Sequence, residues 1–139
     1  MNVAIIGATG NVGRKMLEVL EQKKLPIDQL YLVASTRSAG QKISFNGKDC
    51  EVQNLATYDF SKAEITFFAA GGKISAQYVE KAAKHSTVID SSSFFRMNPD
   101  IPLIVPQVNP EAINGLKKNI ITNPNCSTAQ FGYCIKTFT

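Results

Sequence analysis

The order of apolar and polar positions divides the chain into alternating strands and helices. Val3-Ala4-Ile5-Ile6 is an unbroken apolar run, the pattern of a strand covered on both faces. It stops at Gly7-Ala8-Thr9-Gly10-Asn11-Val12-Gly13. The period then lengthens: Val12, Met16, Leu17, Val19 and Leu20 recur on one helical face, and Pro26 closes the segment. Leu30-Tyr31-Leu32-Val33-Ala34 is a second strand. Strand, glycine turn, helix and strand make a βαβ unit, which needs a parallel sheet. Ile43-Ser44-Phe45 and Cys50-Glu51-Val52 instead alternate around Asn46-Gly47, a dipeptide that favours a tight hairpin. This hairpin reads as an insertion in the α/β pattern. The pattern resumes with a strand at 65–69 that ends at Gly71-Gly72, then a helix at 75–84 with Tyr78, Val79 and Ala82 inward. Val88-Ile89 is a short strand ending in Asp90-Ser91-Ser92-Ser93. A proline-rich stretch holds another strand, Leu103-Ile104-Val105. One helical turn within 110–116 and a last strand at 119–122 lead to Asn123-Pro124-Asn125-Cys126, with a helix beginning at Ser127. The whole predicts one α/β domain over 1–139 with a doubly wound, mostly parallel sheet.

Composition narrows the function classes. With 139 residues, 44% apolar and 19% charged, the chain can bury a real core and carries no disordered low-complexity segment. A net charge of +4 is too small and too dispersed for nucleic acid, and it suits an anionic small molecule. Cys50, Cys126 and Cys134 are an odd count without CxxC spacing, so neither a disulfide framework nor a zinc site is expected, and no metal. The N-terminus enters a strand at once and no apolar run approaches the length of a membrane span. The expected setting is cytoplasmic and reducing, with no membrane partner.

Candidate chemistry sits at the ends of the strands. Gly7, Gly10 and Gly13 form G-x-x-G-x-x-G between a buried strand and a helix. Such a turn lets backbone approach a pyrophosphate, and the helix N-terminus supplies N–H donors. An NAD site usually carries an acid about 20 residues on, for the ribose 2′-OH. Here that place reads Ser35-Thr36-Arg37-Ser38. Arg37 beside hydroxyls suits a 2′-phosphate, so NADP is favoured. Gly71 and Gly72 end a later strand on the edge where ligands of such sheets collect, and they offer either backbone contacts or an ordinary turn. Arg96 is either a local structural group or a clamp for a substrate anion. Cys126, at a helix start among Asn125, Ser127 and Thr128, is placed where the helix dipole favours thiolate, a nucleophile for carbonyl carbon. Asn125 is placed to hold a substrate carbonyl or carboxylate. His85, the only histidine, ends a helix and serves as a base only if the fold brings it to Cys126.

Five motifs in one order resemble the N-terminal part of aspartate-semialdehyde dehydrogenases. They are Val3 to Gly13, Ser35 to Gly40, Val88 to Met97, Val105-Pro106-Gln107-Val108-Asn109-Pro110 and Asn123 to Thr128. The resemblance covers nearly the whole chain to about Gln130. It implies a Rossmann-like fold with a small inserted β-hairpin. It also implies NADPH-dependent reduction of L-aspartyl 4-phosphate to aspartate 4-semialdehyde, on the route to lysine, threonine and methionine. On that resemblance Cys126 attacks the acyl phosphate and forms a thioacyl enzyme. Thr9, Gly10, Asn11 and Val12 cradle the pyrophosphate, and Arg37 and Ser38 hold the 2′-phosphate. Arg96 binds the substrate phosphate and Asn125 orients the substrate. Ser91 departs from the family's usual Asn, and Gln107 from a frequent Glu.

Family chains are more than twice this length, homodimeric or homotetrameric. A second domain there supplies the substrate-binding Gln and Arg, an acid/base His and most of the dimer interface. The 139 residues are therefore expected to be a truncated, frameshifted or cut piece with little activity alone. N-acetyl-gamma-glutamyl-phosphate reductase, which shares the architecture and a catalytic cysteine, is the nearest alternative resemblance. A non-catalytic nucleotide-binding module is the alternative of another class.

Overall fold

The computed structural model describes residues 1–137. Its first strand, β1 (Asn2–Ile6), becomes the middle of the sheet. Helix α1 (Asn11–Lys23) follows the glycine turn and returns the chain to β2 (Gln29–Ala34). A hairpin, β3 (Lys42–Phe45) and β4 (Lys48–Asn54), comes next. Then β5 (Ile65–Phe68), α2 (Gly72–Ala82), β6 (Thr87–Asp90), β7 (Ile120–Thr122) and α3 (Cys126–Thr137) complete the order. The strands form one seven-stranded sheet in the order β3-β4-β2-β1-β5-β6-β7, parallel except where β3 meets β4.

β1 pairs with β2 on one side and β5 on the other, aligning Ile5 with Leu32 and Phe67. The chain thus winds outward from β1 in both directions, and α1 and α2 pack on opposite faces. On the α1 face Leu17 and Leu20 cover Ile5, Leu32 and Val52. On the α2 face Val79 and Ala82 cover Ala4, Ile6, Phe68, Val88 and Ile120. The cover is unequal. On the α2 side Thr66, Phe68, Val88 and Ile120 are fully buried. On the α1 side of the same strands Phe67, Ile89 and Ile121, which are register partners, stay only half-buried.

Several local expectations change. Val12 and Val19 do not face the core; they are 53% and 41% exposed, and Gly13, Leu17 and Leu20 form the buried stripe. The expected inserted hairpin forms, and its second arm β4 also pairs parallel with β2 and extends the main sheet. Its Asn46-Gly47 turn has φ of 50° and 74°, the doubly left-handed geometry of a two-residue hairpin. α2 starts at Gly72, three residues before the expected Ser75. Leu103-Ile104-Val105 is not a strand. A single parallel bridge joins Leu103 to Thr122, with Ile104 N–H donating to Thr122 O at 2.8 Å and Thr122 N–H to Pro102 O at 3.0 Å. The prolines at 102 and 106 remove the donors that a longer ladder needs.

Candidate functional site

The glycine turn, the Arg37 loop, Gly71-Gly72, the Arg96 loop and the Cys126 turn each leave a strand at its carboxyl end. Because the strands carrying them are parallel, all of these exits lie along one edge of the sheet. The winding direction reverses between β1 and β5, and that reversal opens a crevice where ligands of such sheets bind.

The glycine turn leaves β1 at the reversal. Gly7 has φ of +87°, and its N–H donates to Val33 O at 2.8 Å. A side chain at Gly7 would meet Ala69 O at 2.8 Å, and one at Gly13 would meet Gly7 O at 2.3 Å. Both glycines therefore let α1 and β5 close onto the turn. Gly10 is different: its nearest neighbour would be Gly7 O at 3.4 Å, and its backbone is exposed. It caps α1 without a side-chain hydrogen bond, so the first-turn amides at Asn11, Val12 and Gly13 are uncapped by any side chain. Thr9 Oγ1 donates to Ser38 Oγ at 3.4 Å, joining this turn to the loop after β2. Arg37, on that loop, is exposed and makes no hydrogen bond or ion pair among the described residues. Gly71, at φ +83°, opens α2, which also lacks a side-chain cap, and a side chain there would meet nothing within 4 Å. Bare helix starts, exposed glycine backbone and an unpaired guanidinium fit a phosphate-bearing dinucleotide.

On the other side of the crevice Arg96 is half-buried. Its Nε donates to Asn123 O at 2.9 Å and its Nη2 to Ser91 O at 3.0 Å. It thus ties the loop after β6 to the turn after β7. Pro124 is buried in that turn, and Cys126, exposed, is the first residue of α3. Asn125 Oδ1 accepts from Thr128 N–H at 2.8 Å, so its oxygen caps α3. The side-chain NH2 of Asn125, which makes no hydrogen bond among the described residues, is left for a ligand. Cys134 lies farther along the same helix, exposed. Cys50 is on β4, and burial with the neighbouring Asp49 raises its thiol pKa. His85 precedes β6 whereas Cys126 follows β7, so the two lie at opposite edges of the sheet and His85 is not its base.

Sequence reasoning missed one group. Asp90, Ser75 and Ser92 are buried together behind the crevice. Its signal was an acid ending an apolar strand before three serines. Among the described residues no cluster of His, Cys, Asp and Glu is arranged to hold a metal, and no helix is long and apolar enough to cross a membrane.

The sequence matches the family described as semialdehyde dehydrogenase, NAD binding domain, over residues 2–116. It is 52% identical over 137 residues to aspartate-semialdehyde dehydrogenase 2 of Vibrio cholerae, covering 97% of this chain and 41% of that relative. A crystal structure of aspartate semialdehyde dehydrogenase II from the same organism, complexed with ASA, superposes with a TM-score of 0.91 at 53% identity, covering 94% of this chain and 43% of the other. The Candida albicans aspartate semialdehyde dehydrogenase with NADP gives 0.80 at 26% identity, covering 99% and 46%. The chain spans about 40% of the length of the curated relatives it matches.

Proposed function

The chain belongs to the semialdehyde dehydrogenase family as its NAD-binding domain, and from that premise we propose that it is the cofactor-binding and nucleophile-bearing part of an NADPH-dependent aspartate-semialdehyde dehydrogenase. The observation that carries this reading is the convergence of the glycine turn, Arg37, Arg96 and Cys126 on one edge of one parallel sheet. Relatives named for this activity support it.

In this reading Thr9 to Gly13 meet the pyrophosphate with backbone N–H groups, and Gly71 and Gly72 border the cofactor from β5. Arg37 and Ser38 hold the 2′-phosphate. Bound there, NADPH would supply the reducing equivalent. Arg96 is already fixed by two carbonyls and offers its remaining N–H groups to the phosphate of the acyl-phosphate substrate. The Asn125 NH2 group orients the substrate. Cys126 Sγ attacks the acyl carbon, phosphate departs, and a thioester to Cys126 forms; reduction at that carbon then releases the aldehyde and returns the thiolate. The described residues bring no histidine to Cys126, so the 139 residues are expected to bind cofactor without measurable turnover. The boundary of the cofactor domain at 1–139, a cytoplasmic setting and an oligomeric whole protein belong to the same proposal.

Fluorescence titration with NADPH and NADH tests it. NADPH should bind at least about tenfold more tightly, the worth of about 1.4 kcal/mol from one charged contact. Arg37→Ala should bring the two affinities together. Equal affinities in the unmodified chain would remove the 2′-phosphate assignment.

A further inference from the structure

Asp90 ends β6 fully buried, and no ion pair reaches it among the described residues. Its acceptors are instead filled by neutral donors. Oδ1 accepts from Ser75 Oγ at 2.8 Å and from Ser92 N–H at 3.0 Å, and Oδ2 accepts from Ser92 Oγ at 2.8 Å. These bonds run to two places. Ser75 lies in the opening of α2, just beyond Gly71 and Gly72. Ser92 opens the loop that carries Arg96, and its Oγ goes on to accept from Phe94 N–H at 3.2 Å. Two consecutive side-chain turns therefore fold 90–94 back on itself. That fold is what brings Ser91 O within 3.0 Å of Arg96 Nη2. The main chain of Asp90 also receives Asn123 N–H at 3.4 Å, and Asn123 O holds Arg96 Nε.

We infer that Asp90 is a positioning residue: acting through Ser92 it sets the direction of Arg96, and acting through Ser75 it locks that arm to the helix behind the Gly71-Gly72 turn. A buried polar side chain is stable only when its hydrogen bonds are satisfied, and here each bond also fixes a segment of the crevice. The arm for the substrate anion and the turn bordering the cofactor are thereby held at one separation, the kind of support a preorganised site needs. The inference rests on the reading of Arg96 as an anion arm.

The test is side-chain 15N relaxation at Arg96 Nε in the 139-residue chain. In the unmodified chain the Nε–H vector should be as ordered as rigid backbone, with an order parameter of about 0.85. Ser92→Ala removes one acceptor bond and the link to Phe94, and should drop the value below about 0.6 while the β1 and β5 amides keep their shifts. Ser92→Thr, which keeps the hydroxyl, should restore it. Asp90→Asn, which cannot accept at both side-chain positions, should behave like Ser92→Ala. An Arg96 that stays rigid in both Ser92→Ala and Asp90→Asn overturns the inference, as does a loss of order spread through the whole sheet. Titration of the unmodified chain with inorganic phosphate separates the two readings. No phosphate-induced shift at Arg96 Nε would count against the anion arm, whereas the response to Ser92→Ala decides the positioning role.

Discussion

At the scale of single residues, the three glycines of the opening turn are not equivalent. Gly13 sits where a β-carbon would strike two backbone atoms, Gly7 O at 2.3 Å and Ala8 Cα at 2.8 Å. Backbone cannot swing aside as a flexible side chain can. Gly13→Ala should therefore lower the free energy of unfolding by about 1–3 kcal/mol in urea titration, and Gly10→Ala should lose less. Tyr58 presents the opposite case. Its hydroxyl is buried without a partner among the described residues. Burial raises its pKa above the ordinary tyrosine value, helped by Tyr31 and Asp59 nearby. A raised pKa in the folded chain means that the neutral phenol contributes its full stability below about pH 10 and loses it as pH rises further. Tyr58→Phe should remove this alkaline loss, and at neutral pH should stabilise by about 1 kcal/mol because the unsatisfied hydroxyl is gone. Unfolding midpoints at pH 7 and above pH 10 check both statements. Gly7, Gly10 and Gly13 were legible in the sequence because a strand-to-helix reversal demands small residues locally. The Asp90–Ser75–Ser92 cluster was not, because serines on a loop look solvated until the sheet brings a helix over them.

At the scale of elements, local chemistry and long-range pairing differ in what they reveal. Asn46-Gly47 announced its hairpin because the turn needs left-handed backbone at both positions. Nothing within 4 Å would oppose a β-carbon at Gly47, so Gly47→Ala isolates the backbone term: about 1 kcal/mol of destabilisation with an unchanged fold by circular dichroism. That β4 would pair with β2 was not legible, since no feature of 48–54 names its neighbour. The segment at 103–105 failed as a strand for a comparable reason. Its apolar residues fit the pattern, but its place outside β7 and the flanking prolines leave one bridge. The three helices also divide by their starts. α3 is capped by Asn125, whereas α1 and α2 begin without a side-chain cap. The uncapped starts are the two beside the proposed cofactor, and the capped one carries the nucleophile. The cap fixes the first turn of α3, and with it the Cys126 position, before any ligand arrives.

At the scale of the molecule, the sheet is finished on one face and unfinished on the other. α1 spans β1, β2 and β4, leaving Phe67 half-buried beside Val12, Met16 and Val19, and its register partners Ile89 and Ile121 half-buried in the same row of the sheet. A contiguous apolar surface of this kind binds hydrophobic dyes in an otherwise native protein. The chain, saturated with NADPH to fill the crevice, should enhance anilinonaphthalene sulfonate fluorescence. Val19→Lys combined with Ile89→Thr should cut that signal by about half or more. A signal unaffected by the pair would place the dye elsewhere. The overall α/β architecture was legible because buried parallel strands read as unbroken apolar runs, but which half of the sheet lacks a helix depends on strand order. β7 is three residues long, and its outer side is already occupied by the 102–104 segment through Thr122. That segment offers another chain little to pair with, because on its outer side Leu103 O already accepts from Asn109 Nδ2 at 2.9 Å, Val105 N–H donates to Asn109 Oδ1 at 2.9 Å, and Pro106 soon ends the run. The stretch that fails as a strand thus works as a guard: it takes the outward polar groups of Thr122 on an exposed rim and offers a newcomer no continuous ladder at the end that carries the nucleophile.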